Sequence, residues 1–335
     1  MNLKDTKNIL VIRLSSLGDL VTLEFTFRAI RFFFPEYNII FLTSPIGVEL
    51  YKDSTYFNEY FLHENLFKTA LKLRKKTFDT VINLQNNKPS LIIAASLQKR
   101  LLINKSYSLM DKLFFRKPLV KSTQNLLELC VDDKEKINHY FQIKENTIIN
   151  LPTNRYVEIT SLKKIIALST GSSERWESKR WGVENYIQLI SKLLNKNFEI
   201  ILIGSGLELK DEKKILQNFP TVKSFVHKTT IPELKDILKQ ADLYIGNDSG
   251  PTLIAAGVGT STLTIFGSTD IKHRPVKEFY NGTHLYVKPS ATIKCHPCYK
   301  TKCPTHHECM QNIRPEVVYQ TVLNYFEREG EEGNE

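Results

Sequence analysis

The chain reads as an α/β protein built from two doubly wound, parallel-sheet domains, and three observations predict this. Apolar strand-like runs alternate with helical stretches along residues 8–97, and a second alternation runs from residue 164 to residue 266. Between them the pattern runs out around Asn150-Leu151-Pro152-Thr153-Asn154. The run Ala241–Ile245 leads through Gly246-Asn247-Asp248-Ser249-Gly250-Pro251 into the small-residue segment Thr252–Ala256, a strand, tight loop and helix start suited to binding an anion. The expected domains are residues 1–155, residues 156–314, and a C-terminal helix and frayed tail over 315–335. The two α/β domains are expected to face each other across a cleft that holds a ligand.

In the first half, Asn8–Leu14 is read as a central strand and Asp19–Phe34 as a helix stopped by Pro35. Asn38–Thr43 and Asp79–Leu84 are the next strands, and a helical run lies near Leu91–Leu97. In the second half, strands are expected at Lys164–Leu168, Phe198–Ile203, Leu243–Ile245 and Thr262–Phe266. Helices are expected at Val183–Leu194, Glu208–Leu216, Ile231–Lys239, Thr252–Gly257 and Pro315–Arg328. The tail Glu329–Glu335 is read as frayed.

At 335 residues the chain has length for two cores, and its longest apolar runs are far too short to span a bilayer. Residues 1–7 are polar and charged, unlike a signal peptide, so the expected location is cytoplasmic. A net charge of +10 favours acidic partners such as phosphorylated substrates, anionic membrane or nucleic acid, but no aromatic RNA-binding signature accompanies it.

Five constellations carry possible chemistry. Asp19, in Arg13-Leu14-Ser15-Ser16-Leu17-Gly18-Asp19, is either a helix N-cap or a general base. Thr170–Gly182 offers Thr170 and Ser172 to an oxygen-rich ligand and Lys179 to a diphosphate; the plain alternative is a solvated loop with Trp181 stapling the next helix. Gly204-Ser205-Gly206-Leu207-Glu208 fails as a dinucleotide fingerprint because Leu209 stands at the third glycine position. Glu208 suits ribose hydroxyls, or equally the first turn of a helix. Cys295, Cys298, Cys303 and Cys309 fall within fifteen residues and are a candidate structural zinc site. Lys99, Arg100, Lys105, Lys112, Arg116, Lys117 and Lys121, with Tyr107, Phe114 and Phe115 interleaved, form a solvated face or a surface for anionic lipid or an acidic acceptor.

Together these residues resemble the heptosyltransferases of glycosyltransferase family 9, closer to the heptosyltransferase II-like members. Four blocks carry the likeness: Ile9–Asp19; Lys179-Arg180-Trp181; Gly246–Ala256 with Phe266-Gly267-Ser268-Thr269-Asp270; and Cys295–Ile313. The resemblance implies the GT-B fold of two Rossmann-like domains. It also implies inverting transfer of L-glycero-D-manno-heptose from ADP-heptose to the inner core of lipopolysaccharide, with no cofactor and no catalytic metal. By the same resemblance Asp19 would deprotonate the acceptor hydroxyl, and Lys179, with Thr170 or Ser172, would neutralise the diphosphate. Glu208 would hold the ribose, Asp248 would touch the donor sugar, and the N–H groups of Ser249, Gly250 and Thr252 would cradle the phosphates. The implied partners are ADP-heptose and a lipid-linked core acceptor at the inner face of an anionic inner membrane, with no nucleic acid. Two positions depart from the family pattern: Leu253 replaces a histidine and Ser268 a proline. The Leu253 departure keeps open a related transferase with another nucleotide sugar, and the positive charge keeps open a non-catalytic homologue that binds phosphorylated glycans or nucleic acid.

Overall fold

The computed structural model describes residues 7–85, 87–97, 99–104 and 117–332. The chain divides into two compact units, residues 1–153 and 154–335.

The first unit runs β1 (Asn8–Ile12), α1 (Leu17–Thr22), α2 (Glu24–Phe33), β2 (Asn38–Thr43), α3 (Pro45–Tyr51), β3 (Glu59–Leu62), α4 (Leu66–Leu73), β4 (Phe78–Asn83), α5 (Lys88–Ser96), β5 (Lys99–Asn104), α6 (Lys117–Glu128) and α7 (Lys134–Gln142). Its five strands are parallel in the order β3-β2-β1-β4-β5. Strand order reverses between β1 and β4, so their carboxyl ends open a crevice where loops bind ligands in such sheets. Leu10, Ile12, Ile40, Leu42 and Val81 are fully buried because helices cover both sides of these strands. On one side, Leu73, Ile93 and Ala94 pack on Leu10 and Ile12. Elsewhere in the unit, the rings of Phe41 and Phe57 stack with centroids 4.3 Å apart.

The single helix expected over 19–34 is two. Thr22 Oγ1 donates to the Asp19 carbonyl (3.0 Å), and Leu23 N bonds the Leu20 carbonyl one residue short of α-helical spacing (3.2 Å). That competition for carbonyls breaks the ladder at Leu23.

Glu24, with no solvent exposure, fixes the end of this unit. Its Oε1 accepts from Tyr56 Oη (2.5 Å) and Arg28 Nε (3.1 Å), and its Oε2 from Asn150 N (3.0 Å). Arg28 in turn donates to the carbonyls of Glu145 and Ile148. Removing one partner would leave a buried charge uncompensated. Glu24→Ala is therefore expected to cost about 3–5 kcal/mol, measured as a loss of unfolding free energy in denaturant titration; a change within experimental error would refute this account.

The second unit runs β6 (Ile165–Ser169), α8 (Val183–Asn195), β7 (Glu199–Leu202), α9 (Leu209–Asn218), β8 (Lys223–Ser224), α10 (Ile231–Lys239), β9 (Leu243–Asn247), α11 (Gly250–Gly257), β10 (Thr262–Ile265), β11 (His284–Val287), α12 (Glu308–Gln311) and α13 (Pro315–Glu332). The six strands are parallel in the order β11-β10-β9-β6-β7-β8, reversing between β6 and β9. The segment entering the unit is pinned to α10: Asp236 Oδ2 accepts from Tyr156 N (2.6 Å) and Val157 N (2.7 Å). α13 packs on α8 through buried Val318 and Val322 and extends to Glu332, so residues 329–332, expected to fray, are helical. Residues 333–335 lie outside the described residues. Among the described residues no helix is long and apolar enough to cross a membrane.

Candidate active site

Most of the residues singled out in the sequence converge at one end of the second sheet. Thr170 and Ser172 follow β6, Glu208 follows β7, and Asp248, Ser249, Gly250 and Thr252 follow β9. These are the carboxyl ends of strands at and beside the order reversal, where a parallel sheet leaves its crevice.

Asn247, the last residue of β9, organises the place and was given no role in the sequence reading. It is fully buried, and its Nδ2 donates to the carbonyls of Thr170 (2.8 Å) and Gly171 (2.9 Å). Its Oδ1 accepts from Trp181 N (3.2 Å), and its carbonyl accepts from Thr252 Oγ1 (2.6 Å). One amide thus ties the β6 loop, the segment before α8 and the first turn of α11 together. Trp181 is itself core, with its Nε1 donating to the Ile313 carbonyl (2.8 Å).

Lys179 and Asp248 form an ion pair of 2.6 Å with side chains 16% and 17% exposed. The same Asp248 oxygen accepts from Thr269 Oγ1 (2.8 Å), and the Lys179 ammonium lies 4.6 Å from the centre of the Trp176 ring. Such a largely shielded pair attracts more strongly than one in open water, since little solvent screens it. His273 belongs to the same neighbourhood. Burial holds its imidazole below the usual value; Asp248 opposes that shift, while Lys179 and Lys272 reinforce it. Thr269, His273 and Trp176 were not assigned roles from sequence. The quoted block Phe266–Asp270 contains Thr269, but nothing local ties it to Asp248, which stands twenty-one residues earlier.

The start of α11 suits an anion. Ser249, in extended conformation, is the N-cap; its buried hydroxyl lies by Tyr244, and among the described residues no side-chain hydrogen bond caps the helix. Pro251 at N1 or N2 removes one N–H, leaving those of Ser249, Gly250 and Thr252 nearby. Ser172 is engaged internally: its Oγ donates to the Trp176 carbonyl (2.5 Å), which shapes the loop that carries Lys179.

Glu208 takes the helix-turn reading. It closes a capping box with Ser205, accepting from Ser205 N (2.6 Å) and Oγ (2.8 Å) on Oε2. Its Oε1 has no hydrogen-bond partner among the described residues and lies over Gly171, where an added Cβ would come within 1.6 Å of it.

Asp19 is in the first unit, at the carboxyl end of β1. It is not the N-cap; Ser16 is, and Asp19 at N3 reaches back to accept from Ser16 N (3.3 Å) and Ser16 Oγ (3.0 Å). Arg13, nearly buried, holds the same Oδ2 at 2.5 Å and anchors itself to the Leu84 carbonyl (2.7 Å). Gln85 Oε1 accepts from Leu14 N (2.9 Å) and Ser15 N (3.2 Å), so the β4 loop braces the β1 loop at the order reversal. The Asp19 side chain is 47% exposed.

The zinc site expected of Cys295, Cys298, Cys303 and Cys309 is not formed. Among the described residues no group of three or more His, Cys, Asp or Glu is arranged to hold a metal ion, and all four cysteines are free thiols. Cys309 is buried in the core with Met310 and Ile313, whereas Cys295 is exposed. Main-chain bonds set the segment instead. Cys298 N and Tyr299 N donate to the Ser268 carbonyl, and Ser178 N donates to the Thr301 carbonyl. Buried Ser178 also bonds Ser268 Oγ (3.0 Å) and the Lys300 carbonyl (2.5 Å) through its hydroxyl. The cysteine-rich segment is thereby laced to the residue preceding Lys179. Of the basic run, residues 105–116 lie outside the described residues; Lys99 opens β5, and Lys117 and Lys121 lie on α6.

Residues 66–308 match the model of Glycosyltransferase family 9 (heptosyltransferase). A lipooligosaccharide heptosyltransferase 2 of Campylobacter jejuni is 27% identical over 321 residues, covering 92% of this chain and 95% of that one. A lipopolysaccharide heptosyltransferase 3 of Escherichia coli is 26% identical, over 62% of this chain and 64% of its own. The solved structure of E. coli ADP-heptose lps heptosyltransferase II superposes with a TM-score of 0.72 at 16% identity, covering 96% of this chain and 99% of that one. E. coli heptosyltransferase WaaC with ADP superposes at 0.66, at 15% identity, over 95% and 99%. These likenesses carry the fold, and the GT-B class expected from the sequence holds. A further solved neighbour, TibC of enterotoxigenic E. coli, is iron-containing by its description, at a TM-score of 0.53 and 14% identity.

Proposed function

Because the chain belongs to glycosyltransferase family 9, the heptosyltransferases, we propose that it moves heptose from ADP-heptose to the inner core of a lipid-linked lipopolysaccharide acceptor, with inversion and without a catalytic metal. The observation that carries this reading is the Lys179–Asp248 pair beside the uncapped start of α11. A cation, a carboxylate and free N–H groups gathered at one strand end match a sugar joined to a diphosphate better than a neutral ligand.

The step balances simply. An acceptor hydroxyl oxygen bonds to the anomeric carbon while the bond from that carbon to the β-phosphate oxygen breaks. The hydroxyl proton passes to the Asp19 carboxylate, and ADP departs with the bonding electron pair. The leaving group then needs positive charge rather than a proton. Lys179 and the N–H groups of Ser249, Gly250 and Thr252 supply it, fixed in advance by Asn247. Thr170 and Ser172 shape the phosphate side, Glu208 Oε1 accepts from the adenosine ribose, and Asp248 contacts the heptose. The Cys295–Cys309 segment acts as a brace for the Lys179 loop, and the enzyme is read as peripheral on the cytoplasmic face of the inner membrane.

The deciding experiment incubates the protein with a panel of nucleotide-activated sugars and a deacylated core acceptor and reads product masses. A heptose adduct from ADP-heptose is expected. Turnover with UDP- or GDP-sugars alone would favour another donor, the alternative kept open by Leu253; no turnover with any donor would favour a non-catalytic binder.

Gly171 gives a separate test. Gly171→Ala forces the Glu208 carboxylate out of its place, since the new Cβ has no room beside Oε1. ADP affinity is expected to fall roughly tenfold, the order of one lost charged hydrogen bond, and the melting temperature to fall by a few degrees, about what a lost helix cap costs. Unaltered ADP binding by calorimetry would remove Glu208 from the ribose.

A further inference from the structure

The outward face of α4 has a composition that the sugar-transfer reading does not use. The helix buries Thr69 and Leu73 against the sheet and turns Phe67, 83% exposed, and Leu71, 66% exposed, to solvent. These two lie four residues apart, on one face and one turn apart. Exposed Lys68 and Lys72 alternate with them, Lys72 paired to Glu64. Arg74 and Lys75 follow directly, so residues 64–75 carry four basic side chains against one acidic. α5 covers the same side of the sheet, because Leu66 and Leu73 of α4 share one core with Ile93 and Ala94 of α5 and with Leu97 just after it. Its Ile92 is likewise exposed.

A solvent-facing Phe–Leu pair set among cations is costly in water alone and fits an occupant that is apolar and negatively charged at once. A protein partner supplies one or the other patchwise; an anionic bilayer supplies both everywhere on its surface. We propose that the Phe67–Leu71 face of α4, with its flanking lysines, docks the first unit on an anionic lipid bilayer. Phe67 and Leu71 enter the headgroup–acyl boundary, and Lys68 and Lys75 meet the phosphates. The proposal rests on the reading above only in that a lipid-linked acceptor gives such docking a purpose.

The test is co-sedimentation of the full chain, without donor or acceptor, with vesicles of phosphatidylethanolamine and phosphatidylglycerol, against vesicles of phosphatidylcholine. Wild type is expected to sediment with the anionic vesicles only. Phe67→Ser/Leu71→Ser is expected to weaken that partition about tenfold or more, with ADP affinity and melting temperature unchanged because both side chains are exposed. Lys68→Ser/Lys75→Ser is expected to weaken it less and to flatten its dependence on salt. The proposal is overturned if wild type does not bind the anionic vesicles, or if the double apolar variant binds as wild type does. It is also overturned if the face instead drives a concentration-dependent dimer that this variant abolishes. Sugar transfer plays no part in the readout, so failure here and failure of the proposed activity are separately visible.

Discussion

Asp19→Asn is expected to lower sugar transfer by about 10²- to 10⁴-fold, the usual share of a general base, while ADP binds as in wild type. The substitution keeps the shape of the side chain and an oxygen able to accept from Ser16. It removes the charge that pairs with Arg13 at 2.5 Å and the basicity that accepts a proton. In the structure only Oδ2 is engaged by protein donors; Oδ1 has no hydrogen-bond partner among the described residues, on a side chain half open to solvent. That is the arrangement a base needs, one oxygen fixed and one presented. An ordinary N-terminal helix acid would behave differently. Its neutralisation would cost a fraction of a kcal/mol to about 1 kcal/mol of stability and leave turnover alone. Measured kcat against ADP-heptose, set beside the melting temperature, separates the two; near-normal turnover would end Asp19's role as base.

The fold was legible where burial is two-sided. β1, β6 and β9 stand in the middle of their sheets, and their apolar runs declare them. β3 and β11 are edge strands with mixed exposure, and β8 is two residues long, so no run marks them. α3 and α4 are short, and exposed Ile46, Phe67 and Leu71 put apolar residues on their outward faces too, which blurs the period that would reveal them. The break at Leu23 was invisible because it depends on which carbonyl the Thr22 hydroxyl reaches. The site divides the same way. Loops at strand ends announced Thr170, Lys179 and Asp248 as candidates, since Gly, Ser and Asp cluster there. Their pairing did not show: Lys179 and Asp248 are sixty-nine residues apart and meet only because β6 and β9 are neighbours in the sheet. The cysteine block was legible, but its anchoring was not: α12 carries Cys309 into the core, while Ser178 and Ser268 hold the segment by its main chain.

Lys179→Ala is expected to weaken ADP and ADP-heptose binding by roughly 10- to 100-fold, the worth of a charge-assisted contact to phosphate. The ion pair with Asp248 raises the competing view that Lys179 merely balances a carboxylate. The two views differ in what Asp248→Asn does. If Lys179 serves only Asp248, removing either charge costs stability and leaves ADP affinity alone. If Lys179 serves the diphosphate, Asp248→Asn frees the ammonium from its partner, so ADP, which lacks the sugar, binds as tightly or more tightly, while transfer of the sugar falls. Trp176 strengthens the second view. A ring 4.6 Å from the ammonium holds the cation in place without neutralising it, as a contact to an incoming anion requires. Ser178 adds to this by tying the preceding peptide to Ser268 and to the Lys300 carbonyl, so the lysine stem starts from a fixed point. Calorimetric ADP titrations of Lys179→Ala and Asp248→Asn, read together, decide between them. Equal ADP affinity in wild type and Lys179→Ala would take Lys179 off the diphosphate.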